Sequence, residues 1–322
     1  MVKLLHVNDY SVDTSQFQPL LNDSIVEEFE QTIADFVGAK YAVSMNSATS
    51  AIFLSLLNKN QDVSLPSILP PVVANAVLTA NNRVTFEDNI EWVGGSYVLH
   101  TFKKFDATAG VEKEWAKEDY KIIDSAQQIY KNQFKKEAKD NDLMIYSFYP
   151  TKPIGSSDGG MIVSNDKDKI DELKILSRNG NTLENNSWER QIVCPGYKLY
   201  MNSIQCYIAL ENYKKLKDKT QRFEEVKGMY NDAFGLKNTS NHLYRINVED
   251  RNTFMDKMNK VEIQTGIHYK ALHKVKCYGG TQLSLPKSEL ESDTTVSLPY
   301  HEKLTDTEVK RVIKEVKPYV KA

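Results

Sequence analysis

One lysine of the sequence lies at the point where a short apolar strand breaks into a loop rich in glycine and serine. Lys152 ends the segment Ser147-Phe-Tyr-Pro-Thr-Lys152, which follows the apolar run 143–146 and leads into Pro-Ile-Gly-Ser-Ser-Asp-Gly-Gly160. A second apolar run, Met161–Val163, predicts a strand after this loop. A lysine held by rigid backbone on both sides is suited to point inward and react. From this hexapeptide alone, a solvated loop lysine is an equally good interpretation, because lysines are rarely buried.

A phosphate site is one interpretation of a strand, a turn and a helix further upstream. The predicted strand Tyr41–Ser44 leads into Asn46-Ser-Ala-Thr-Ser50, and residues 51–57 predict a helix. This order exposes backbone N–H groups and the positive end of a helix dipole, which together attract an anion. On this stretch alone the simpler interpretation, in which Ser47 and Thr49 only cap the helix, is preferred.

A carboxylate ends another predicted strand. The apolar run Tyr120–Asp124 is followed by Ser125-Ala-Gln-Gln128. Because predicted strands alternate with predicted helices, we expect an α/β fold with a largely parallel sheet. Ligands of such folds bind beyond the carboxyl ends of the strands. Asp124 therefore lies where a catalytic carboxylate is expected.

Helices that position these residues are predicted on both sides of them. Residues Ser24–Val37 carry apolar side chains at helical spacing, and Gly38 is a typical helix-ending residue. A long helix over 204–229 would carry the chain out of the first unit, after which a smaller α/β unit follows. We expect a large domain over residues 1–215 and a small C-terminal domain over residues 216–322.

The composition excludes several classes of protein. The chain has 322 residues, of which 41% are hydrophobic and 26% charged, and its formal net charge is -2. These values are typical of a globular protein and argue against a general nucleic-acid binder. Cys194, Cys206 and Cys277 form neither a CxxC motif nor a metal-type spacing, so we expect reduced thiols and no metal.

The sequence contains no predicted membrane segment. No apolar run approaches the roughly 18 residues that a bilayer-spanning helix needs. The N-terminal residues Met1–His6 have too short an apolar core for a signal peptide. We therefore expect a complete, cytoplasmic protein that acts on small molecules, with no nucleic-acid or membrane partner.

Five short segments occur in the order, and at the rough spacing, of one enzyme family. They are Asn46-Ser-Ala-Thr49, Ile123-Asp-Ser-Ala-Gln127, Ser147–Lys152 with Asp158-Gly-Gly160, Gly266-Ile-His-Tyr269 and Ser297-Leu-Pro299. With them, the chain resembles the DegT/DnrJ/EryC1/StrS family of pyridoxal-phosphate-dependent sugar aminotransferases over nearly its whole length. The resemblance implies the fold type I of aspartate aminotransferase, in which a large domain with a mixed, mostly parallel sheet is joined to a smaller C-terminal α/β domain.

The resemblance also implies roles for the residues described above. Lys152 would bond covalently to the aldehyde of pyridoxal 5′-phosphate and later move a proton between substrate and cofactor. Asp124 would bind the pyridine nitrogen and keep it protonated, so that the ring accepts electron density. Gln127 would lie against the ring face and fix its tilt; a glutamine on a helix surface is the alternative interpretation.

Two departures from the family pattern concern the cofactor phosphate. The family's Ser-Gly-Thr turn is Ser47-Ala48-Thr49 here, and Ser147 completes the implied phosphate site. Ala48 narrows the allowed backbone if the family's glycine needs a positive φ, and costs little if it does not. Relatives send an asparagine across a dimer interface to the phosphate. Lys198 stands in its place here, where it would meet a phosphate as a point charge.

The implied substrate side departs further from the family. The stretch 58–110 is short, and Leu69-Pro-Pro71 replaces an aromatic residue that relatives place near the substrate. His268 and Tyr269 belong to a part of the small domain that approaches the substrate in relatives, although structural roles fit them equally well. These departures leave the substrate contacts open.

The resemblance implies a transamination on a sugar. The amino group would pass from an amino acid, L-glutamate by resemblance, to a nucleotide-linked keto-deoxysugar and give an amino sugar for a polysaccharide or glycan. The active sites would be shared between the subunits of a homodimer. Two alternatives stay open: a pyridoxal-phosphate sugar dehydratase, although those relatives replace the lysine by histidine, and a non-catalytic regulatory or structural homologue.

Overall fold

The computed structural model describes residues 1–13, 24–103, 118–184, 188–278, 280 and 283–320, and these residues form an α/β fold. The helices are α1 (Ser24–Val37), α2 (Ala48–Ser55), α3 (Pro71–Thr79), α4 (Gln133–Glu137), α5 (Lys167–Ser177), α6 (Ser203–Lys214), α7 (Leu216–Phe234), α8 (Arg251–Lys260), α9 (Pro286–Thr294) and α10 (Asp306–Val316). The strands are β1 (Tyr41–Met45), β2 (Asp62–Pro66), β3 (Arg83–Glu87), β4 (Tyr97–Phe102), β5 (Tyr120–Asp124), β6 (Leu143–Ser147), β7 (Gly160–Ser164), β8 (Tyr244–Asn247) and β9 (Thr295–Leu298). The alternation of strands and helices agrees with the predicted α/β class.

The central sheet is mixed, and its pairing corrects one expectation. Five described strands pair in the order β1-β7-β6-β5-β4. Of the four neighbouring pairs in this order, β5 with β6 is parallel and the other three are antiparallel. The sheet is therefore not largely parallel. The reason lies in the connections, since β7 returns beside β6 after a loop without a crossover helix, and a strand that returns in this way is antiparallel. Strands β2 and β3 form a separate parallel pair.

The register of the central sheet brings the predicted site residues to one end of its strands. Gly160, at the start of β7, lies opposite Met45, the last residue of β1, and also opposite Ser147, the last residue of β6. On the parallel neighbour, Asp124 ends β5 opposite Ile145. Three predicted parts of the site therefore meet at this end of the strands: the turn before α2, the loop that carries Lys152, and the carboxylate of Asp124.

Two apolar cores cover the two faces of the sheet. Adjacent residues of one strand point to opposite faces, so Ile122 belongs to the core under α2, α3 and α5, whereas Ile123 belongs to the core under α1 and α6. Burial of strand residues on both faces explains why β6 and β7 read as continuous apolar runs. These two cores fix the strands whose ends carry the predicted site residues.

Most helix bounds follow the sequence, with two corrections. Helix α1 ends before Gly38, which has a φ of 82°, as expected of a helix-ending glycine. Helix α2 begins at Ala48, three residues before its expected start, because the Ser47 side chain caps it by accepting from the Ser50 N–H. The single helix expected over 204–229 is two helices, because the N–H of Lys215 bonds to the Asn212 carbonyl and interrupts the regular pattern.

A third apolar core gathers the C-terminal elements. Strands β8 and β9 pair antiparallel and pack with α7, α8 and α10, and α10 begins with a capping box formed by Thr305 and Glu308. Val2 is buried in the same core, so the first residues of the chain pack with its last hundred. The division at residues 215 and 216 stays a prediction. Within the described ranges, no helix is long and apolar enough to cross a membrane.

Candidate active site

A cavity of about 480 Å³ opens beside the carboxyl ends of β5 and β6. This volume lies in the range of small-molecule sites. With the exception of Lys198, every residue predicted to act in the site lines this cavity: Ala48, Thr49, Asp124, Gln127, Ser147, Lys152, His268 and Tyr269. Residues far apart in the sequence therefore meet at one place.

Lys152 is fixed by the turn that carries it. Its N–H donates to the Tyr149 carbonyl at 2.8 Å, which closes the turn after β6. The residue is partly exposed to the cavity, while its amine end is enclosed by protein. Burial lowers the pKa of Lys152 to about 8, and the negative charge of Asp124 opposes this shift. At pH 7 roughly one tenth of this amine is thus neutral, far more than for an ordinary lysine, and this fraction is able to act as a nucleophile.

Asp124 is a buried carboxylate held by two donors. Only 4% of the residue is exposed. The N–H of Ala126 donates to its Oδ1 at 2.9 Å, and the hydroxyl of Tyr97 donates to its Oδ2 at 3.0 Å. Burial raises the pKa of Asp124, while these two hydrogen bonds and the charge of Lys152 act in the other direction. A cationic N–H group in the cavity would stabilise the ionised form.

Gln127 is held on both sides of its amide. Its Oε1 accepts from the N–H of Gly94 at 2.7 Å, and its Nε2 donates to the hydroxyl of Tyr269 at 2.9 Å. Both partners lie far from Gln127 in sequence, and the side chain is 3% exposed. Gln127 is therefore not a surface glutamine, and its orientation is fixed toward the cavity that it lines.

The N-terminus of α2 lines one part of the cavity. Ala48 is the first residue of α2 and is not among the positive-φ residues of the described chain, so alanine in place of the family's glycine causes no backbone strain. Ala48, Thr49 and Ser147 line the cavity together. Gly160 allows this close approach, because a Cβ at that position would lie 2.3 Å from the Ala48 nitrogen. Backbone N–H groups at such a helix start attract phosphate.

The small C-terminal unit contributes His268 and Tyr269 to the cavity wall. The Nδ1 of His268 is 2.8 Å from the Ser297 hydroxyl, which fixes the ring. Burial lowers the pKa of His268 to about 4, and the charge of Lys152 acts in the same direction, so the imidazole is neutral near neutral pH. These contacts are structural, and both side chains also face the cavity.

Lys198 lies outside the cavity of its own chain. It is exposed and pairs with Arg178 in an isolated antiparallel bridge. The expected contact of Lys198 with the phosphate of a second subunit stays a prediction.

The cavity residues that were not predicted from the sequence include His242, Trp92 and Leu5. His242 places its Nε2 3.1 Å from the Nζ of Lys152. Trp92 packs on Tyr97 with ring centroids 4.7 Å apart and donates through its indole N–H to the Ile68 carbonyl. Leu5 reaches the cavity from the N-terminal segment. No local motif marks any of them, because their contacts are made with residues distant in sequence.

Comparisons with known proteins identify relatives of the chain. The chain is 27% identical to the Bacillus subtilis spore coat polysaccharide biosynthesis protein SpsC, covering 92% of this chain and 90% of that protein. It is 26% identical to a Campylobacter jejuni UDP-4-amino-4,6-dideoxy-N-acetyl-beta-L-altrosamine transaminase, with coverage of 97% and 96%.

Solved structures share the fold over nearly the whole chain. The Streptococcus pneumoniae protein Spr1654, in its PLP form, has a TM-score of 0.82 at 20% identity and coverage of 98% and 97%. Helicobacter pylori PseC, an aminotransferase involved in the biosynthesis of pseudoaminic acid, has a TM-score of 0.73 at 20% identity and coverage of 98% of both chains. These similarities confirm the predicted fold type I.

A family model covers most of the sequence. Residues 9–89 and 116–317 match the DegT/DnrJ/EryC1/StrS aminotransferase family. This match includes all five motifs of the sequence and every cavity residue named above except Leu5 and Trp92. The chain therefore belongs to the DegT/DnrJ/EryC1/StrS family of aminotransferases, which depend on pyridoxal 5′-phosphate.

Proposed function

We propose that this protein transfers an amino group from L-glutamate to a nucleotide-linked keto-deoxysugar. The observation that carries the proposal is the meeting of Lys152 and Asp124 in one cavity, where each charge affects the pKa of the other. A reactive amine and a buried carboxylate are the two groups that pyridoxal-phosphate transamination requires at opposite ends of the coenzyme. The product would be an amino sugar for a polysaccharide or glycan.

The donor set of the cavity fits pyridoxal 5′-phosphate. Ala48, Thr49 and Ser147 would hold the phosphate at the α2 N-terminus, and Asp124 would accept from the protonated pyridine nitrogen. Gln127 would lie against the ring. When bound, the coenzyme supplies an aldehyde that captures an amine and a ring that accepts electron density.

Lys152 would supply both the bond to the coenzyme and the moving proton. Its lowered pKa provides a neutral amine, which is the nucleophilic form. Once released by the incoming amino donor, the same amine would remove a proton from the substrate carbon and return it at a neighbouring position. The turn closed by the bond to the Tyr149 carbonyl fixes the main chain from which the amine would act in both steps.

Asp124 would supply a fixed negative charge. The Tyr97 hydroxyl and the Ala126 N–H hold both of its oxygens, so the carboxylate need not reorient during the reaction. Electrostatic groups that are held in place before the reaction are the most effective at stabilising a changing charge. Its raised pKa would fall once a cationic ring nitrogen binds.

We assign the sugar to the apolar part of the cavity lining. Pro70, Val72, Val73 and Trp92 line it, together with Tyr149. An apolar wall with an aromatic ring suits the methyl group and ring faces of a deoxysugar better than a highly hydroxylated sugar. The Campylobacter jejuni transaminase named above acts on a sugar of this type according to its name, which supports a nucleotide-linked deoxysugar here.

The active unit would be a homodimer with shared sites. The support is the exposed position of Lys198, which leaves its ammonium accessible to a second chain. A phosphate contact from that chain would use Lys198 as a point charge. The molar mass in solution, measured by light scattering, tests the dimer, and loss of coenzyme affinity in Lys198→Ala tests the contact.

Borohydride trapping tests the proposed function. The protein is saturated with pyridoxal 5′-phosphate, reduced and digested, and the labelled peptide is sequenced by mass spectrometry. We expect the label on Lys152 and no label at that position in Lys152→Ala. The exposed Lys139, outside the cavity, is the matched control, and Lys139→Ala should label normally.

A substrate panel then tests the chemistry. The protein is incubated with L-glutamate and a set of nucleotide-linked ketosugars, and the formation of 2-oxoglutarate and amino sugar is measured. Wild-type protein should turn over at least one nucleotide ketosugar, whereas Lys152→Ala should turn over none. Labelling of a lysine other than Lys152 would refute the site. A protein that binds no coenzyme at all would favour the non-catalytic alternative.

A further inference from the structure

His242 is a buried histidine in direct contact with the reactive lysine. It precedes β8, is 5% exposed, and its Nε2 lies 3.1 Å from the Nζ of Lys152. Its backbone N–H donates to the Ser240 hydroxyl at 3.0 Å, which fixes the position of the residue. The Lys152 amine therefore has a titratable ring at hydrogen-bond distance.

The other ring nitrogen of His242 has no partner among the residues that the structure describes. Within the part of the chain that the structure describes, Nδ1 is buried and makes no hydrogen bond. The protonated nitrogen of a neutral imidazole is normally determined by the bond that the other nitrogen makes. While Lys152 is an ammonium, which only donates, Nε2 must accept and the proton of the neutral ring lies on Nδ1.

A second, small cavity lies behind the Lys152 loop. Its volume is about 10 Å³, at the lower limit of what one water molecule needs. Leu5, Thr151, Lys152 and His242 line both this cavity and the large one, and of these only Lys152 and His242 carry titratable side chains. A single water molecule there would give His242 Nδ1 a partner.

Polar groups continue from the small cavity toward the surface. Lys219, His301 and Glu302 line its other side, together with His6. The Nε2 of His6 lies 3.9 Å from Glu302 and 3.6 Å from the exposed Asp9. A water molecule in the small cavity would therefore lie among titratable groups, one of which, His6, lies close to the exposed Asp9.

We infer that His242 is a positioning residue that orients the Lys152 amine and exchanges its proton with solvent through the small cavity. The inference rests on the proposed function, because it assigns His242 a role only through a reactive Lys152. Lys152 must lose a proton before it acts as a base, and its amine is enclosed by protein. His242 provides the exit without a passage through the substrate side.

The proton transfer is balanced at each atom. One N–H bond of the Lys152 ammonium breaks as an N–H bond forms at His242 Nε2, and the proton on His242 Nδ1 leaves to the water molecule. The ring ends in its other neutral tautomer, and the reverse sequence returns the proton to Lys152. No other reactant is consumed.

The surroundings favour a coupled transfer over a long-lived imidazolium. Lys152 and His268 face His242 from the large cavity, and Lys219, His6, His301 and Glu302 surround the small cavity. Burial and the positive charge of Lys152 both disfavour a charged ring, and they lower the pKa of His242 well below its usual range. If one proton reaches Nε2 while the other leaves Nδ1, the ring of His242 does not become positively charged.

The first experiment measures proton exchange without the coenzyme. In coenzyme-free protein labelled with ¹⁵N-lysine, NMR gives the exchange rate of the Lys152 Nζ protons with water. His242→Gln keeps an amide near the Nε2 position but has no second ring nitrogen, and we expect it to slow the exchange on the order of 10²-fold. The control His100→Gln, which changes a histidine of β4 that lines neither cavity, should leave the rate unchanged.

The second experiment separates proton transfer from packing. In His242→Ala loaded with coenzyme, the single-turnover reaction with L-glutamate is measured while imidazole, pyrazole or 1,2,4-triazole is added. These azoles have similar size but different basicity, so proton transfer predicts a rescue that increases with the pKa of the azole. Equal rescue by all three would show that His242 only fills space and would overturn the inference.

The outcomes distinguish this inference from the proposed function. If borohydride labels Lys152 in His242→Gln and the exchange rate of its amine equals that of wild type, the role of His242 is refuted and the function stands. If borohydride labels no lysine in wild-type protein, the proposed function fails first. Circular dichroism of each variant confirms that it is folded before either measurement is interpreted.

Discussion

The side-chain amide of Asn8 donates a hydrogen bond of 2.9 Å to the carbonyl oxygen of Lys152, 144 residues further along the chain. The same amide donates to the Pro150 carbonyl at 2.8 Å. The buried ammonium of Lys219 donates to Asn8 Oδ1, which orients the amide so that its NH₂ group faces the loop. The N-terminal segment therefore fixes the main chain that carries the reactive lysine.

Replacement of Asn8 should loosen that loop. Asn8→Ala leaves two carbonyls and the Lys219 ammonium without this partner, and we expect the free energy of unfolding to fall by about 1–3 kcal/mol. Coenzyme capture should slow as well, because Lys152 is held less firmly. Denaturant unfolding and the rate of coenzyme capture measure the two effects.

A surface asparagine provides the control for Asn8. The Asn141 amide makes an exposed hydrogen bond to the Asp119 carbonyl, and Asn141→Ala should change the free energy of unfolding by no more than about 0.5 kcal/mol. If Asn8→Ala unfolds and captures coenzyme like wild type, the amide does not hold the loop.

Gly160 should resist even a single methyl group. In Gly160→Ala the new Cβ would lie 2.3 Å from the Ala48 nitrogen and 2.4 Å from the Ser47 carbonyl carbon, so the turn before α2 must shift. We expect weaker coenzyme binding, measured by equilibrium titration, because the proposed phosphate site moves. Gly228→Ala in α7 meets no atom within 4 Å and should leave coenzyme affinity unchanged while stabilising the helix by about 0.5–1 kcal/mol. Equal affinities in both variants would contradict the assignment.

Asp124→Asn should lower turnover without lowering the stability of the coenzyme-free protein. The folded state holds the Asp124 proton more tightly than the unfolded state, so this carboxylate costs stability as the pH rises through its raised pKa. Without coenzyme, the variant should melt at the same temperature as wild type at pH 7, or higher. Turnover should fall on the order of 10²-fold or more, since a fixed electrostatic contact is lost. A coenzyme-free variant that melts clearly lower, with wild-type turnover, would contradict this role.

Coenzyme capture should follow the titration of Lys152. Burial lowers the pKa of this lysine to about 8, so the capture rate should rise with pH and reach half of its maximum near that value. Between about pH 8 and the unfolded lysine's pKa of 10.5, the unfolded state binds more protons, and Lys152 therefore contributes a rise in stability with pH over this window.

The charge of Asp124 gives the control for this titration. It raises the pKa of Lys152, so Asp124→Asn should move the midpoint of capture to lower pH. Stopped-flow absorbance between pH 6 and 11 measures both midpoints. A midpoint near that of a free lysine would mean that the Lys152 amine is solvated.

Local sequence patterns were sufficient to predict many of the helices and strands, and the functional residues at the strand ends. The apolar spacing of 24–37 predicted α1, and the strand that ends in Asp124 has the bounds that its sequence indicates. These features depend on neighbours within a few residues, through backbone hydrogen bonding and side-chain periodicity. The motifs around Lys152 and Asp124 were therefore visible in the sequence alone.

Tertiary structure alone decided the strand pairing and the environment of the lysine. The sequence predicted the strands β6 and β7 but not that they pair antiparallel, because pairing direction depends on the path of the whole connection. His242 and Asn8 contact the lysine residue from 90 and 144 positions away, and no periodicity encodes such contacts. The lowered pKa of Lys152 follows from burial by these distant groups, which only the folded chain brings together.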